Sequence, residues 1–316
     1  MHEALRQLRD GEHLHRLSRF QDIRLASYKG HLGLLLDGRL VVHSYDAHRV
    51  YEALAVVPLL YRPPGSVRRV LIGGGGDGLA ASRLLQFSEV QRVLVVDQDD
   101  EITAMARRPP MTLLNRDALA DPRVEVRHGE FVDLATVLAR REEERFELIL
   151  SDLPAPRERP QERLYAPELY ATLGRLLAPG GLLVVRAPFL PQISSYIHHA
   201  LRSVFACAYL YRAPTQSLGM QGYHLAATEP IARHRGVPAW AEFLNERVVP
   251  ALFGLAKDEL RYLARPEHDD AVAAWRADHG LPTVDDTAAA AAEIAADIAE
   301  LFAGDDGEPE RAATGG

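Results

Sequence analysis

The stretch VLIGGGGDGLAAS, residues 70–82, sets an apolar run against four consecutive glycines, then an aspartate, a fifth glycine and a return to small apolar residues. Glycine, having no Cβ, lets a backbone turn tightly at a strand end and approach a ligand closely, with the amides of the following helix nearby. Gly73, Gly75 and Gly78 meet the G-x-G-x-x-G spacing. That spacing alone serves a nicotinamide dinucleotide, a flavin or a sulfonium nucleoside equally well.

On either side of the glycines the chain alternates between strand and helix patterns. RRVLIGG (68–74) reads as a fully apolar strand and GLAASRLLQF (78–87) as a helix. QRVLVVDQD (91–99) is a second strand and DEITAMARR (100–108) a helix, followed by strands in RVEVRHGE (123–130), FELILSDLPAP (146–156) and GLLVVRAP (181–188). Near-continuous apolar strands separated by helices predict an α/β fold, a Rossmann-like, mostly parallel sheet with helices on both faces. Its ligand belongs outside the carboxyl ends of the strands.

Upstream, residues 20–42 form short apolar or alternating runs broken by Lys29-Gly30 and Asp37-Gly38, which predicts a small antiparallel β-hairpin unit. DAHRVYEALAVVPLLY (46–61) places Val50, Leu54 and Val57 at helical intervals and stops at Pro63-Pro64. Downstream of Pro230 the composition turns to helices and loops, among them AWAEFLNERVVPALFGLAKDELRYL (239–263). TAAAAAEIAADIAELFAG (287–304) carries an apolar stripe of Ile294, Ile298, Leu301 and Phe302, capped by Asp285 or Asp286 and stopped by Gly304. The division that follows is an N-terminal hairpin domain with a linking helix (1–60), a catalytic domain (61–230), a helical extension (231–303) and a disordered tail (304–316).

The 316 residues and 47% hydrophobic content allow a large buried core, and a net charge of −8 argues against binding nucleic acid, which requires surplus cations. The single cysteine, Cys207, lies in the apolar run SVFACAYLY, which excludes an intrachain disulfide and suits a packed thiol in a reducing cytoplasm. No stretch approaches the roughly 18 apolar residues of a membrane helix, and the start of the chain shows no signal-peptide core. The pairs His13/His15, His43/His48 and His198/His199 match no metal-binding spacing, so no metal is expected.

The strand ends narrow the ligand. Asp97 closes the second strand about twenty residues after the glycines, where a carboxylate can accept both hydroxyl protons of a ribose. Asp77 sits where a pyrophosphate would otherwise lie and would repel it, so a cation such as a sulfonium fits better. Glu130 can accept from an adenine amino group. Asp152 faces the same crevice from the next strand, and a carboxylate there suits alkyl transfer to an amine, which must lose its proton before it attacks.

Together these residues resemble the spermidine synthase family of polyamine aminopropyltransferases, on the class I S-adenosylmethionine-dependent transferase fold, from about Phe20 to Thr228. The family's GGGDG matches Gly74, Gly75, Gly76, Asp77 and Gly78; its ribose acid matches Asp97, its adenine-side acid Glu130 and its catalytic acid Asp152. LLLDGRLV, DAHRVYEAL, LYAPELY, LAPGG and SLGMQGYHLAA also fall in family order, and DLPAP with RLYAPELY is most similar to a bacterial subgroup often fused to membrane helices. The resemblance implies decarboxylated S-adenosylmethionine or S-adenosylmethionine as co-substrate, held by those residues with Gln98, Gly129 and Phe131. It implies Asp152 as base, Asp77 on the amino end of the donor chain, and an amine acceptor among Tyr51, Glu52, Asp77, Asp152, Leu153 and Gln216. It also implies a homodimer.

The sequence departs from the family on the acceptor side. The second acid of the family's D-x-x-D is Ala155, its Tyr-His-Glu triplet is Val50-Tyr51-Glu52, a glutamine after LDG is Val41, and a late tyrosine is Gln216. A buried diamine losing one carboxylate partner forfeits about 2 to 5 kcal/mol, so the expected acceptor is an amine other than putrescine. A methyltransferase using intact S-adenosylmethionine and a non-catalytic nucleoside-binding protein remain as alternatives.

Overall fold

The computed structural model describes residues 5, 7–141, 144–153 and 163–264. Two sheets organise them. The first is a four-stranded antiparallel meander of β1 (Gly11–Leu17), β2 (Asp22–Tyr28), β3 (His31–Leu36) and β4 (Arg39–His43). Sequence patterning marked β2 to β4 but missed β1, because GEHLHRL is polar and largely exposed on both faces and so shows no buried alternation.

The second sheet has seven strands in the order β10-β11-β9-β8-β5-β6-β7. Five are parallel: β5 (Arg69–Gly74), β6 (Arg92–Asp97), β7 (Val124–His128), β8 (Phe146–Asp152) and β9 (Leu177–Pro188). β10 (Cys207–Pro214) and β11 (Met220–Ala227) form a hairpin added antiparallel to β9. Cys207 opens the edge strand β10, half-buried and packed against the margin of the first core cluster.

Both faces of the parallel strands are covered, which is why these strands read as unbroken apolar runs. Val70 and Ile72 of β5 enter one core cluster while Leu71, between them, enters the other. The second cluster packs under α-helices Phe131–Arg140 and Pro167–Leu176; the first packs under Leu79–Leu84 and the helical segment that begins at Ala47.

That segment is not a uniform helix. Ala47–Tyr51 is α-helical, Glu52–Val56 widens into a π-helical turn, and Val57–Leu60 returns to α. The hairpin β10–β11 anchors it: Tyr223 donates to the Val50 carbonyl at 3.0 Å and Tyr211 to the Ala53 carbonyl at 2.8 Å, their rings stacked 5.1 Å apart. Past the sheet, helices Val248–Leu252 and Lys257–Ala264 follow, and the alanine-rich stripe around Ile294 and the tail lie outside the described residues. Among the described residues no helix is long and apolar enough to cross a membrane.

Candidate active site

The chain leaves β5 toward β6 and β7 on one side, then crosses back to β8 and β9 on the other, so the order reverses between β5 and β8. Loops diverge there and open a crevice at the carboxyl ends. Gly74 and Asp152 are register partners across this point, and Asp97 pairs with His128 one strand over. A cavity of about 700 Å³ lies above them.

The glycines are needed for contact as well as for turning. Gly74 has φ +76°, and a Cβ there would collide with the Asp152 carbonyl oxygen. A Cβ on Gly76 would stand 2.6 Å from Asp97 Oδ2, the oxygen that accepts the Gly76 N–H at 2.9 Å. The other Asp97 oxygen accepts the Asp99 N–H, also at 2.9 Å. Asp97 is thereby aimed at the cavity with lone pairs to spare. Burial raises its carboxyl above the usual range, opposed by these two amides.

Asp77 is the most perturbed carboxylate of the site. It is 8% exposed, accepts the Leu79 N–H and the Tyr51 hydroxyl at 2.8 Å each, and has its pKa pushed up to about 7 by burial and then by the charge of Asp152. Burial first, then Asp77 and Asp152, hold the Tyr51 phenol well above its ordinary value, so Tyr51 acts here as a donor.

Asp152 is not alone. Arg186, on β9, places Nη1 2.6 Å from Asp152 Oδ1, and its guanidinium lies 5.9 Å from the Tyr51 ring centroid. Burial disfavours the cation, yet Asp152, with Tyr51 and Tyr223, outweighs it and holds the guanidinium above its usual pKa. Gln221 of β11 reaches Arg186 Nε at 3.4 Å while its own amide donates to the Leu218 carbonyl. Sequence reading passed over Arg186; a lone charge ending the apolar run LLVV was the available signal.

The remaining expected residues divide. Gly75, Gln98, Gly129, Glu130, Phe131 and Leu153 line the cavity with those above, and Glu130 is paired to Arg163 at 2.5 Å. Gly78 does not line it; with φ +78° it caps helix Leu79–Leu84 against Asn115 and Leu119.

Glu52 is a correction. It is fully buried away from the cavity, where its carboxylate accepts the backbone N–H groups of Glu242, Phe243 and Leu244 at 2.8 to 3.0 Å. The π-helical turn begins at this residue, and Tyr51 and Glu52 face different neighbours. Gln216 is a second correction: its side chain does not line the cavity, and its N–H donates to Asp46 at 2.6 Å. Asp46 also accepts from the N–H and hydroxyl of Ser217, fixing the loop that delivers Leu218 and Gln221. Ala155 lies outside the described residues. The N-terminal sheet closes the rim with Leu34, Leu36, Leu40, Val41 and Val42, and is tied down where Gln21 and Ser18 donate to Asp99 at 2.8 Å.

A doubly wound sheet whose switch point gathers a glycine turn and three acids defines an α/β protein with its ligand crevice at the carboxyl ends of the strands. Residues 47–234 match the model of the spermine/spermidine synthase domain. The chain is 31% identical over 247 residues to a polyamine aminopropyltransferase of Oceanobacillus iheyensis, covering 77% of this chain and 47% of that protein. It is 36% identical over 229 residues to polyamine aminopropyltransferase 2 of Streptomyces coelicolor, covering 70% and 39%. It thus spans about half the length, or less, of these curated relatives. A crystal structure of a spermidine synthase in complex with the transition-state analogue AdoDATO superposes with TM-score 0.72 at 22% identity, covering 80% of this chain and 88% of that one; the Thermotoga maritima enzyme gives 0.71 at 22%, with the same coverage. The chain belongs to the spermine/spermidine synthase domain family, and its fold is that of spermidine synthase.

Proposed function

We propose that this chain is an aminopropyltransferase that moves the aminopropyl group of decarboxylated S-adenosylmethionine to an amine other than putrescine. The observation that carries this is the convergence of Asp77, Asp97 and Asp152 on one cavity at the switch point. Asp97 would take the ribose hydroxyls, and Glu130, Gly129 and Phe131 would flank the adenine. Asp77, without an ion-pair partner among the described residues, would hold the donor's ammonium, and binding of that cation would favour its ionised form.

The acceptor nitrogen then attacks the methylene carbon next to the sulfonium. The new C–N bond forms as the C–S bond breaks, its electron pair stays on sulfur, and methylthioadenosine leaves. The proton released from the acceptor nitrogen goes to Asp152. Fixing both reactants in one cavity supplies rate through orientation, and the apolar rim limits the water that would compete for the donor.

In this reading residues 61–230 are the catalytic domain, residues 1–60 an N-terminal β-hairpin domain with its linking helix, residues 231–303 a helical extension and residues 304–316 a tail. It also carries a homodimer, by analogy with the family, and a cytoplasmic setting, which the single half-buried cysteine suits. Incubation with decarboxylated S-adenosylmethionine and a panel of amines should release methylthioadenosine with at least one acceptor. No release with any amine would contradict the assignment.

A further inference from the structure

At the acceptor end of the cavity, where a diamine site would gather negative charge, the structure holds an arginine. Among the described residues four carboxylates line the cavity, and two of them are already paired: Glu130 with Arg163, and Asp152 with Arg186. Asp77 and Asp97 are the two without an ion pair among the described residues; Asp97 ends β6, and Asp77 is held by the Tyr51 hydroxyl. With Asp77 assigned to the donor's ammonium and Asp152 paired to Arg186, the described residues near Asp152 leave a second cation little net attraction. A diamine that keeps one ammonium while its other nitrogen attacks would bring that cation against Arg186.

Arg186 is also built to receive something. Nη1 is committed to Asp152 and Nε faces Gln221, which fixes the plane of the guanidinium. Nη2 donates to no described residue, and the side chain is 17% exposed, into the cavity it lines. A planar guanidinium held from two sides, with a free N–H edge, suits an incoming oxyanion, and on an amine substrate that oxyanion is a carboxylate. Leu218, Val41 and Pro188 line the same cavity and make part of its wall apolar, which weakens the screening of a charge pair inside it.

We propose that Arg186 is a specificity-determining residue that receives a carboxylate, so that the amine handled at this end of the cavity is an amino acid type rather than a bare diamine. This rests on the nucleoside reading of the cavity given above. The carboxylate can be carried by the acceptor. The same chemistry would be met by the methionyl carboxylate of an intact S-adenosylmethionine, whose ammonium would sit on Asp77, one tyrosine away from Arg186.

Two matched pairs that each differ by one carboxylate separate the sources. Putrescine and ornithine are compared as acceptors by kcat/KM, and decarboxylated and intact S-adenosylmethionine as ligands by calorimetry, with methylthioadenosine binding as the reference. In the wild-type chain at least one pair should favour the carboxylate member tenfold or more, and Arg186→Gln should bring that ratio to one or below while methylthioadenosine still binds. Arg186→Lys, which keeps the charge and loses the planar fork, should fall between them and serves if the glutamine variant does not fold.

A preference in the acceptor pair puts the carboxylate on the acceptor. A preference confined to the donor pair supports Arg186 as the carboxylate site and moves the reaction to the intact donor. The proposal is overturned if methylthioadenosine binds but neither pair favours its carboxylate member, or if the preference survives Arg186→Gln. If methylthioadenosine fails to bind the wild-type chain, the nucleoside reading falls and this proposal falls with it.

Discussion

Asp77, its pKa pushed up to about 7 by burial and by Asp152, should make binding of a cationic donor a proton-linked event. A cationic donor needs the ionised carboxylate, so the apparent affinity scales with the ionised fraction. For a group titrating at about 7 that fraction is roughly one tenth at pH 6 and nine tenths at pH 8, so the donor should bind about ninefold more weakly at pH 6. At pH 7 binding should release about half a proton, read by calorimetry in buffers of different ionisation enthalpy. Asp77→Asn should weaken binding at pH 8 and flatten the profile. The stability sign runs opposite to that of an ion-paired carboxylate. Because the folded pKa lies above the ordinary value of 3.8, the folded state holds the proton more tightly, and stability is lost as pH rises from about 4 through about 7. Asp77→Asn should therefore raise the melting temperature at pH 8 and change it little at pH 4. Affinity that is constant from pH 6 to pH 8, with no proton released, would refute the reasoning.

Tyr51→Phe removes the hydroxyl that stabilises ionised Asp77, so the donor-affinity profile should move to higher pH, as measured by the same titrations. Glu52→Gln takes the charge from three backbone N–H groups and should cost about 1.5 to 3 kcal/mol in a denaturant melt. It should leave acceptor preference unchanged, whereas a changed preference would restore Glu52 to the pocket. Gly74→Ala meets both a positive φ and the Asp152 carbonyl and should abolish methylthioadenosine binding. Asp152→Asn should leave nucleoside binding within a few fold while transfer falls by about 10² or more, checked by product release.

The position of the crevice was legible because Gly74, Asp97 and Asp152 each end a strand. Gly74, Asp97 and Asp152 are placed by the parallel sheet itself, and a sheet of continuous apolar runs announces where its strands stop. The acceptor half was not, because its residues reach the cavity through features with no period. Tyr51 and Glu52 read as neighbours on one helix, and the π-helical turn starting at Glu52 sends one to Asp77 and the other to the amides of residues 242–244. Gln216 aligned with a binding position, yet the loop is held by Asp46 so that Leu218 and Gln221 line the cavity instead. Arg186 was hidden within a strand whose burial pattern suggested only packing, and its meaning depends on Asp152, a partner 34 residues away.

The central claim is that the three acids at the switch point enclose a sulfonium nucleoside. A crystal structure with methylthioadenosine tests it most directly. The account predicts both ribose hydroxyls on Asp97, the adenine between Glu130 and Phe131, and the sulfur facing the space between Asp77 and Asp152. A ribose placed away from Asp97, or a thioether pointing away from Asp152, would contradict it.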